Sequence, residues 1–86
     1  MSWWVYLLRC RDGSLYAGCT TDLQRRLAMH NAGTGAKYTR SRRPVALVYQ
    51  EPCETKSEAL KRELALKRLT KAQKESLVSE FERSFP

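Results

Sequence analysis

The first twenty residues alternate short apolar runs with a polar turn, and this pattern predicts a β-hairpin. Val5–Leu8 and Leu15–Cys19 are short, apolar and rich in β-forming residues. Asp12-Gly13 between them is a typical turn sequence, and it permits a loop of either two or three residues. The loop length decides which side chains share a face of the hairpin, because side chains alternate along a strand.

The hairpin carries two tyrosines, Tyr6 and Tyr16, whose relative placement depends on that loop. A two-residue loop puts them on opposite faces, whereas a three-residue loop with Gly13 left-handed puts both hydroxyls on one face. We favour the longer loop, because it groups small and aliphatic residues on one side and leaves the bare Gly18 beside Tyr6. Tyrosines in a hairpin are more often packing residues, so a chemical role needs support from the rest of the chain.

The segment that follows the hairpin predicts an amphipathic helix. Thr21 can cap its start, Asp22 favours its positive N-terminal end, and Gly33 stops it. At about 100° per residue, Leu23 and Leu27 define its buried stripe.

Two polar side chains of this helix lie next to that stripe. Arg26 and His30, the only histidine of the chain, fall one turn apart on the side that faces the sheet, while Arg25 points the opposite way. The ordinary interpretation is a snorkelling arginine and a histidine hydrogen-bonded at the edge of the core. The alternative is a functional pair aimed at the tyrosines.

A second amphipathic helix contains an inward-facing carboxylate. It begins with the capping box Thr55–Glu58 and continues to Lys67. Its apolar arc consists of Ala59, Leu60, Leu64 and Leu66. Glu63 lies inside this arc, and a carboxylate taken out of water is normally protonated, paired or bound to a metal. An i,i+4 pair with Lys67 is the structural alternative to a metal.

The remaining segments complete an α+β fold. Pro44 to Gln50 forms a predicted third strand, and Thr70–Gln73 is the capped start of a last helix that reaches Phe81. The order β-β-α-β-α-α predicts a small three-stranded sheet, antiparallel or mixed, flanked by three helices. With 86 residues and no linker, repeat or low-complexity tract, the chain is expected to form one domain.

The loop between the first helix and the third strand is strongly basic. Four cations fall within residues 37–43, and the whole chain has sixteen Lys and Arg against nine Asp and Glu, a net charge of +7. This balance favours a polyanionic partner, although a basic run is often only a solvated loop. The loop suits contact with phosphates and stacking on a base. The candidate nucleic-acid-binding residues are Lys37, Tyr38, Arg40, Arg42 and Arg43.

The pattern disfavours membrane and zinc proteins. The apolar runs are too short to span a bilayer, and no stretch has the pattern of a membrane-binding helix or a signal peptide. Cys10, Cys19 and Cys53 have no metal-ligand spacing, which argues against zinc and favours a reducing cytoplasm.

The candidate residues together resemble the GIY-YIG nuclease domain. The first signature element is Trp4-Val5-Tyr6 and the second is Tyr16-Ala17-Gly18, and Arg26, His30-Asn31 and Glu63 follow at matching offsets. The short signature is weak alone, but its combination with these residues is specific. The resemblance covers about residues 3–80 and is closest to compact bacterial proteins made of a single GIY-YIG domain.

Those compact proteins share two further stretches with this chain, Gly35–Arg40 and Arg42–Pro44. The chain departs from the family in its first signature, where Trp4 and Val5 replace the glycine and the isoleucine. The departure affects backbone placement and removes no side-chain role.

The resemblance implies an endonuclease that hydrolyses phosphodiester bonds in DNA, with Tyr6 as general base and Tyr16 and His30 assisting it. Arg26 suits the charge of the transition state, because its planar fork reaches two phosphate oxygens and stays protonated. Glu63 suits one Mg²⁺ or Mn²⁺, since such an ion commonly takes only one or two carboxylates. Arg26 and a metal-bound water are expected to favour the ionised form of Tyr6.

Two other functions are compatible with the same residues. One is a nucleic-acid-binding module that keeps the fold without turnover, and the other is an interaction protein whose basic face docks on an acidic partner. The sequence contains no second domain for DNA targeting, which would leave that task to a partner protein.

Overall fold

The computed structural model describes residues 2–84, which form a three-stranded antiparallel sheet with four helices. The strands are β1 Trp3–Arg9, β2 Leu15–Thr20 and β3 Ala46–Cys53, in the spatial order β2-β1-β3. The helices are α1 Leu23–Ala32, α2 Lys37–Arg40, α3 Lys56–Arg68 and α4 Lys71–Arg83. The predicted α+β order is confirmed, and α2 is a fourth, four-residue helix inside the segment that we predicted to be a loop.

The hairpin has the three-residue loop. The Cys10 N–H donates to the Ser14 carbonyl at 2.9 Å, and Gly13 is left-handed with φ of 86°. Tyr6 therefore lies opposite Gly18, and Tyr16 shares its face of the sheet with Tyr6. The predicted register is confirmed.

The two faces of the sheet have separate cores. Helices α3 and α4 cover one face, whose buried residues are Val5, Leu7, Leu15, Ala17, Tyr49, Ala59, Leu66 and Val78. Helix α1 covers the other face, whose buried residues are Tyr6, Leu8, Cys10 and Val45, with Tyr16, Leu23, Leu27 and Leu47 packed against them. Both candidate tyrosines thus lie under α1.

Two predicted boundaries are wrong. Asp22, not Thr21, caps α1, since its carboxylate accepts from the Arg25 N–H at 3.1 Å. The third strand begins at Ala46 instead of Pro44 and continues past Gln50 to Cys53. It starts late because the residue before it, Val45, bonds through its N–H and carbonyl to the Asn31 side chain, at 2.8 and 3.0 Å.

The predicted apolar arc of α3 is only partly buried. Ala59 and Leu66 are fully buried, but Leu60 and Leu64 are 48% and 50% exposed. The sheet covers only one side of the arc, and Glu63 lies on that side with a side chain 20% exposed. Within residues 2–84, no helix combines the length and the apolar character that crossing a membrane requires.

Candidate active site

The fold gathers all five predicted catalytic residues into one group, which we call the five-residue cluster. Its members are Tyr6 on β1, Tyr16 on β2, Arg26 and His30 on α1, and Glu63 on α3. The phase predicted for α1 is confirmed, since Arg26 and His30 face the sheet whereas Arg25 is exposed.

Tyr6 and His30 form the buried centre of this cluster. The Tyr6 hydroxyl lies 3.2 Å from Nε2 of His30, and the two residues are 2% and 0% exposed. The Tyr16 ring meets the His30 ring edge-on at 5.5 Å between centroids. A β-carbon at Gly18 would collide with the Tyr6 hydroxyl, so the glycine provides the space that the Tyr6 ring needs, as predicted.

A residue that the sequence analysis missed, Thr39, holds the other side of the histidine. The Thr39 hydroxyl, also fully buried, lies 2.7 Å from Nδ1 of His30 and 3.0 Å from the Ala36 carbonyl oxygen. When the hydroxyl donates to that carbonyl, it accepts from Nδ1–H, and Nε2 is then an acceptor for the Tyr6 proton. In the other tautomer, Nδ1 accepts from the hydroxyl and from the Ala36 N–H, which lies 3.5 Å away.

The electrostatics of Tyr6 and His30 keep both residues neutral. Burial raises the pKa of Tyr6 above its usual value, although a hydrogen bond and the charge of Arg26 act in the opposite direction. Arg26 thus favours the ionised tyrosine, as expected, but desolvation is the larger effect and the net pKa is raised. Burial also lowers the pKa of His30, and the charge of Arg26 lowers it further, so the imidazole is an unprotonated base at neutral pH.

Arg26 is held in the cluster with part of its hydrogen-bonding capacity unused. Its Nε is buried and has no hydrogen-bond partner within residues 2–84. A buried donor without an acceptor costs about 1–3 kcal/mol, so an anionic oxygen at this position would be strongly favoured. The side chain also borders an open cleft of about 270 Å³ lined by Thr20, Thr21, Asp22, Arg25, Arg26 and Met29.

Glu63 approaches the cluster from α3, past the edge strand β2. Its carboxylate pairs with Lys67 at 2.8 Å, which is the i,i+4 pair that the sequence offered as the structural alternative to a metal. Burial alone would raise the pKa of Glu63, but hydrogen bonds from Lys67 and from the Cys19 thiol, with the charge of Arg26, bring it below its usual value. Glu63 is thus ionised at neutral pH.

The carboxylate of Glu63 is the metal ligand that the protein provides at this site. Within residues 2–84, no group of three or more His, Cys, Asp or Glu side chains converges on a point. Burial, with the neighbouring Glu63, raises the pKa of Cys19 to about 11, so its thiol stays protonated and is a poor ligand. A single ionised carboxylate fits Mg²⁺ or Mn²⁺, which would complete its shell with water and phosphate oxygens.

Tyr38 contacts both an aromatic ring and a guanidinium group. Its ring lies on Tyr16 at 5.7 Å between centroids with 21° between the planes, and the Arg42 guanidinium lies 3.9 Å from its centroid. The Tyr38 residue nevertheless stays 40% exposed. A nucleobase that stacks on the face where Arg42 lies would have to displace that guanidinium.

The predicted cationic residues fall into two groups. Arg42 and Arg43 already bind within the chain: Arg42 pairs with Asp12 at 3.1 Å, and Arg43 donates to the Arg40 carbonyl at 2.8 Å. Lys37 and Arg40 are exposed, and their charged groups have no partner within residues 2–84. Sequence reasoning could not separate these groups, because all four cations are equally polar.

The arrangement combines three chemical capabilities. Tyr6 and His30 can pass a proton along a fixed hydrogen bond, Arg26 can receive an anionic oxygen, and Glu63 can hold one hard cation. Arg26 links them, since its charge acts on Tyr6, His30 and Glu63.

Comparison with known proteins gives matches along most of the chain. A family model described as the GIY-YIG catalytic domain matches residues 2–76. A UPF0213 protein of Halobacterium salinarum is 58% identical over 73 residues, which are 85% of this chain and 95% of that protein. A UPF0213 protein of Desulfotalea psychrophila is 52% identical over 85 residues, which are 98% of this chain and 77% of that protein.

Two solved structures resemble the fold. The solution NMR structure of a UPF0213 protein from Bacillus halodurans has a TM-score of 0.59 and 48% identity, and covers 92% of this chain and 84% of its own. The solution NMR structure of a protein from E. faecalis has a TM-score of 0.64 and 52% identity, and covers 95% and 88%.

Proposed function

The chain belongs to the GIY-YIG catalytic domain family, and we propose that it is a metal-dependent endonuclease that hydrolyses phosphodiester bonds in DNA. The buried, unpartnered Nε of Arg26 is the observation that carries this proposal. An arginine held in this way next to Tyr6 and Glu63 needs an anionic oxygen, and a phosphodiester supplies one. The family supports the reaction class, and the following roles are our assignment.

Tyr6 acts as general base through His30. A free phenolate is disfavoured here, since burial raises the pKa of Tyr6. When the Tyr6 oxygen takes a proton from the attacking water, its own proton moves along the 3.2 Å contact to Nε2 of His30. Nδ1 stays bonded to Thr39, which keeps the ring oriented, and Tyr16 supports the ring at its edge.

Arg26 stabilises the transition state. Its guanidinium carries a permanent positive charge in a partly buried site, where electrostatic interactions are stronger than in water. The oxygens of the phosphate gain negative charge as the water attacks, so the Nε donor and the charge of Arg26 bind the transition state more tightly than the ground state.

Glu63 holds the divalent ion. When bound, Mg²⁺ or Mn²⁺ supplies positive charge for the leaving oxygen. Glu63 is ionised and keeps its position through the bond with Lys67, so the chain contributes one ordered carboxylate to that ion. This is the smallest protein contribution that a magnesium site commonly has.

The substrate is drawn in by the basic surface. Within the 37–43 segment, Lys37 and Arg40 are the cations available to bind a phosphate backbone. Arg42 and Arg43 instead bind groups of the chain itself and hold the segment in place. We assign DNA as the substrate, the cytoplasm as the compartment, and a partner protein as the source of targeting. The three free cysteines are compatible with a reducing compartment.

One observation favours a second candidate, a nucleic-acid-binding module without turnover. Tyr6 is only 2% exposed, so an attacking water has little direct access to the proposed base. This candidate predicts tight binding by the wild-type protein with no strand cleavage in any metal.

A panel of labelled nucleic acids tests the proposed function. Single-stranded, duplex, branched and nicked DNA, with the same RNA forms, would be incubated with Mg²⁺ or Mn²⁺ and with a chelator. Cleavage of a DNA form that requires the metal and is lost in Tyr6→Phe supports the endonuclease. Cleavage of RNA alone would change the substrate, and binding without cleavage in every arm would favour the binding module.

A further inference from the structure

A cleft between the hairpin loop and α4 lies outside the five-residue cluster. This α4 cleft has a volume of about 200 Å³ and is lined by Ser14, Leu15, Tyr38, Lys71 and Lys74. Tyr38 stacks on Tyr16, and Tyr16 in turn contacts His30. The stacked pair of Tyr16 and Tyr38 therefore lies between the α4 cleft and the proposed reaction centre.

The two lysines of the α4 cleft have no carboxylate of their own. Lys71 donates to the Gly13 carbonyl at 2.8 Å. Lys74 is half-buried, and its ammonium group has no hydrogen bond or ion pair within residues 2–84. Their acidic neighbour Glu75 is bound by both terminal nitrogens of Arg9, at 2.6 and 2.8 Å. The charge of Glu75 also reaches Lys71, but no carboxylate is bonded to either lysine, so the cleft keeps a net positive charge.

We propose that the α4 cleft binds a backbone phosphate next to the scissile one, on the same nucleic-acid strand. This inference rests on the proposed function, because it takes Arg26 as the site of the scissile phosphate. Two ammonium groups, one of them on a half-buried residue, favour an anion, and lysine binds phosphate as a point charge. The volume suits one phosphate with its sugar and is too small for a duplex.

The bonds around the cleft fix its distance from the reaction centre. The Arg9–Glu75 pair and the Lys71–Gly13 bond attach α4 to the same hairpin that carries both tyrosines. A phosphate held by Lys74 would therefore set the register of the strand on Tyr6 and Arg26. Positioning of this kind lowers the entropic barrier of a reaction between bound groups.

Lys74→Gln tests the cleft, with Lys61→Gln as the matched control. Lys61 is an exposed lysine of α3 without a partner in residues 2–84, so both changes remove the same charge. Affinity for a labelled single-stranded DNA 12-mer would be measured by fluorescence anisotropy in EDTA over a series of salt concentrations. The lost phosphate contact in Lys74→Gln should weaken binding several-fold and lower the slope of log K against log salt by about 0.7.

Lys61→Gln should leave the slope at the wild-type value. If wild type and Lys74→Gln melt at the same temperature and have equal slopes of log K against log salt, the α4 cleft does not bind a backbone phosphate. Wild-type cleavage in Mn²⁺, followed in parallel, separates this result from the proposed function. If the wild type cleaves and Lys74→Gln keeps the wild-type salt slope, only the phosphate site in the α4 cleft is contradicted. If Lys74→Gln lowers the slope and the wild type does not cleave, only the endonuclease activity is contradicted.

Discussion

The Thr39 hydroxyl lies 2.7 Å from Nδ1 of His30, and both side chains are fully buried. The same hydroxyl lies 3.0 Å from the Ala36 carbonyl oxygen, and when it donates there it accepts from Nδ1–H of the imidazole. The proposed proton path from Tyr6 to Nε2 requires this tautomer of His30, so it depends on a residue nine positions further along the chain.

Thr39→Val should separate this role from simple packing. Valine keeps the shape of threonine but leaves the buried Nδ1–H without an acceptor, so the free energy of unfolding should fall by about 1–3 kcal/mol. Cleavage should fall as well, because the ring is free to present its N–H to Tyr6. Urea unfolding and initial nicking rates measure the two effects, and Thr39→Ser should restore both. A Val variant that cleaves at the wild-type rate would remove Thr39 from the proton path.

Stability should depend on pH through His30. Burial, with the charge of Arg26, lowers the pKa of His30 below its ordinary 6.5. Between the two pKa values the unfolded chain binds more protons, so the stabilisation is complete above about pH 6.5 and is lost as pH falls through the folded pKa. Glu63, with a pKa lowered from 4.5, begins to matter only in more acid solution.

Urea unfolding between about pH 5 and 7.5 measures this dependence. The free energy of unfolding of the wild type should drop towards the acid end, and that of His30→Gln should drop much less. Parallel curves for the two proteins would show that another group causes the loss.

Arg26→Lys should be almost as damaging to cleavage as Arg26→Ala. An ammonium keeps the charge but loses the Nε donor and the planar fork, so the rate should fall by a factor on the order of 10²–10³. Arg25→Ala is the control, since Arg25 is exposed on the same helix. Single-turnover cleavage compares the variants, and a larger loss in Arg25→Ala than in Arg26→Ala would contradict the assignment.

Glu63→Gln and Lys67→Gln break the same ion pair and should differ in activity. The Lys67 side chain is 47% exposed, so either change should cost only about 0.3–0.5 kcal/mol of unfolding free energy. Cleavage in Mn²⁺ should disappear in Glu63→Gln and survive in Lys67→Gln, at a lower metal requirement because the carboxylate is no longer shared. An active Glu63→Gln protein would eliminate the proposed metal site.

The basic segment should divide into binding and structural cations. Changing both Lys37 and Arg40 to Gln should flatten the salt dependence of DNA binding without a change in melting temperature, because neither charged group has an intrachain partner in residues 2–84. Arg42→Ala should lower the melting temperature, since it removes the contacts with Asp12 and Tyr38. Equal melting temperatures for both proteins would show that Arg42 is not structural.

The hairpin and the phase of α1 could be predicted because each follows from a local rule. Asp12-Gly13 limits the loop to two lengths, and Gly18 fits beside Tyr6 in only one of them. Helical spacing alone separates Arg26 from Arg25. These features need no knowledge of distant contacts.

The missed features depend on tertiary contacts. Helix α2 has four residues, too few for a periodic signal, and Thr39 within it is defined by its contact with His30. The exposure of Leu60 depends on which side of α3 meets the sheet. The raised pKa of Tyr6 depends on the depth of burial, which a list of neighbouring charges does not give.

Arg9 at the end of β1 and Glu75 on α4 are 66 residues apart in sequence, and they form a two-pronged bridge. A shortened chain that stops after Leu69 would retain every member of the five-residue cluster. The hairpin that carries both tyrosines would, however, lose its ion pair with α4. In so small a protein, α4 is therefore required even though it contributes no residue to the five-residue cluster. The alignment of the reacting groups depends on it.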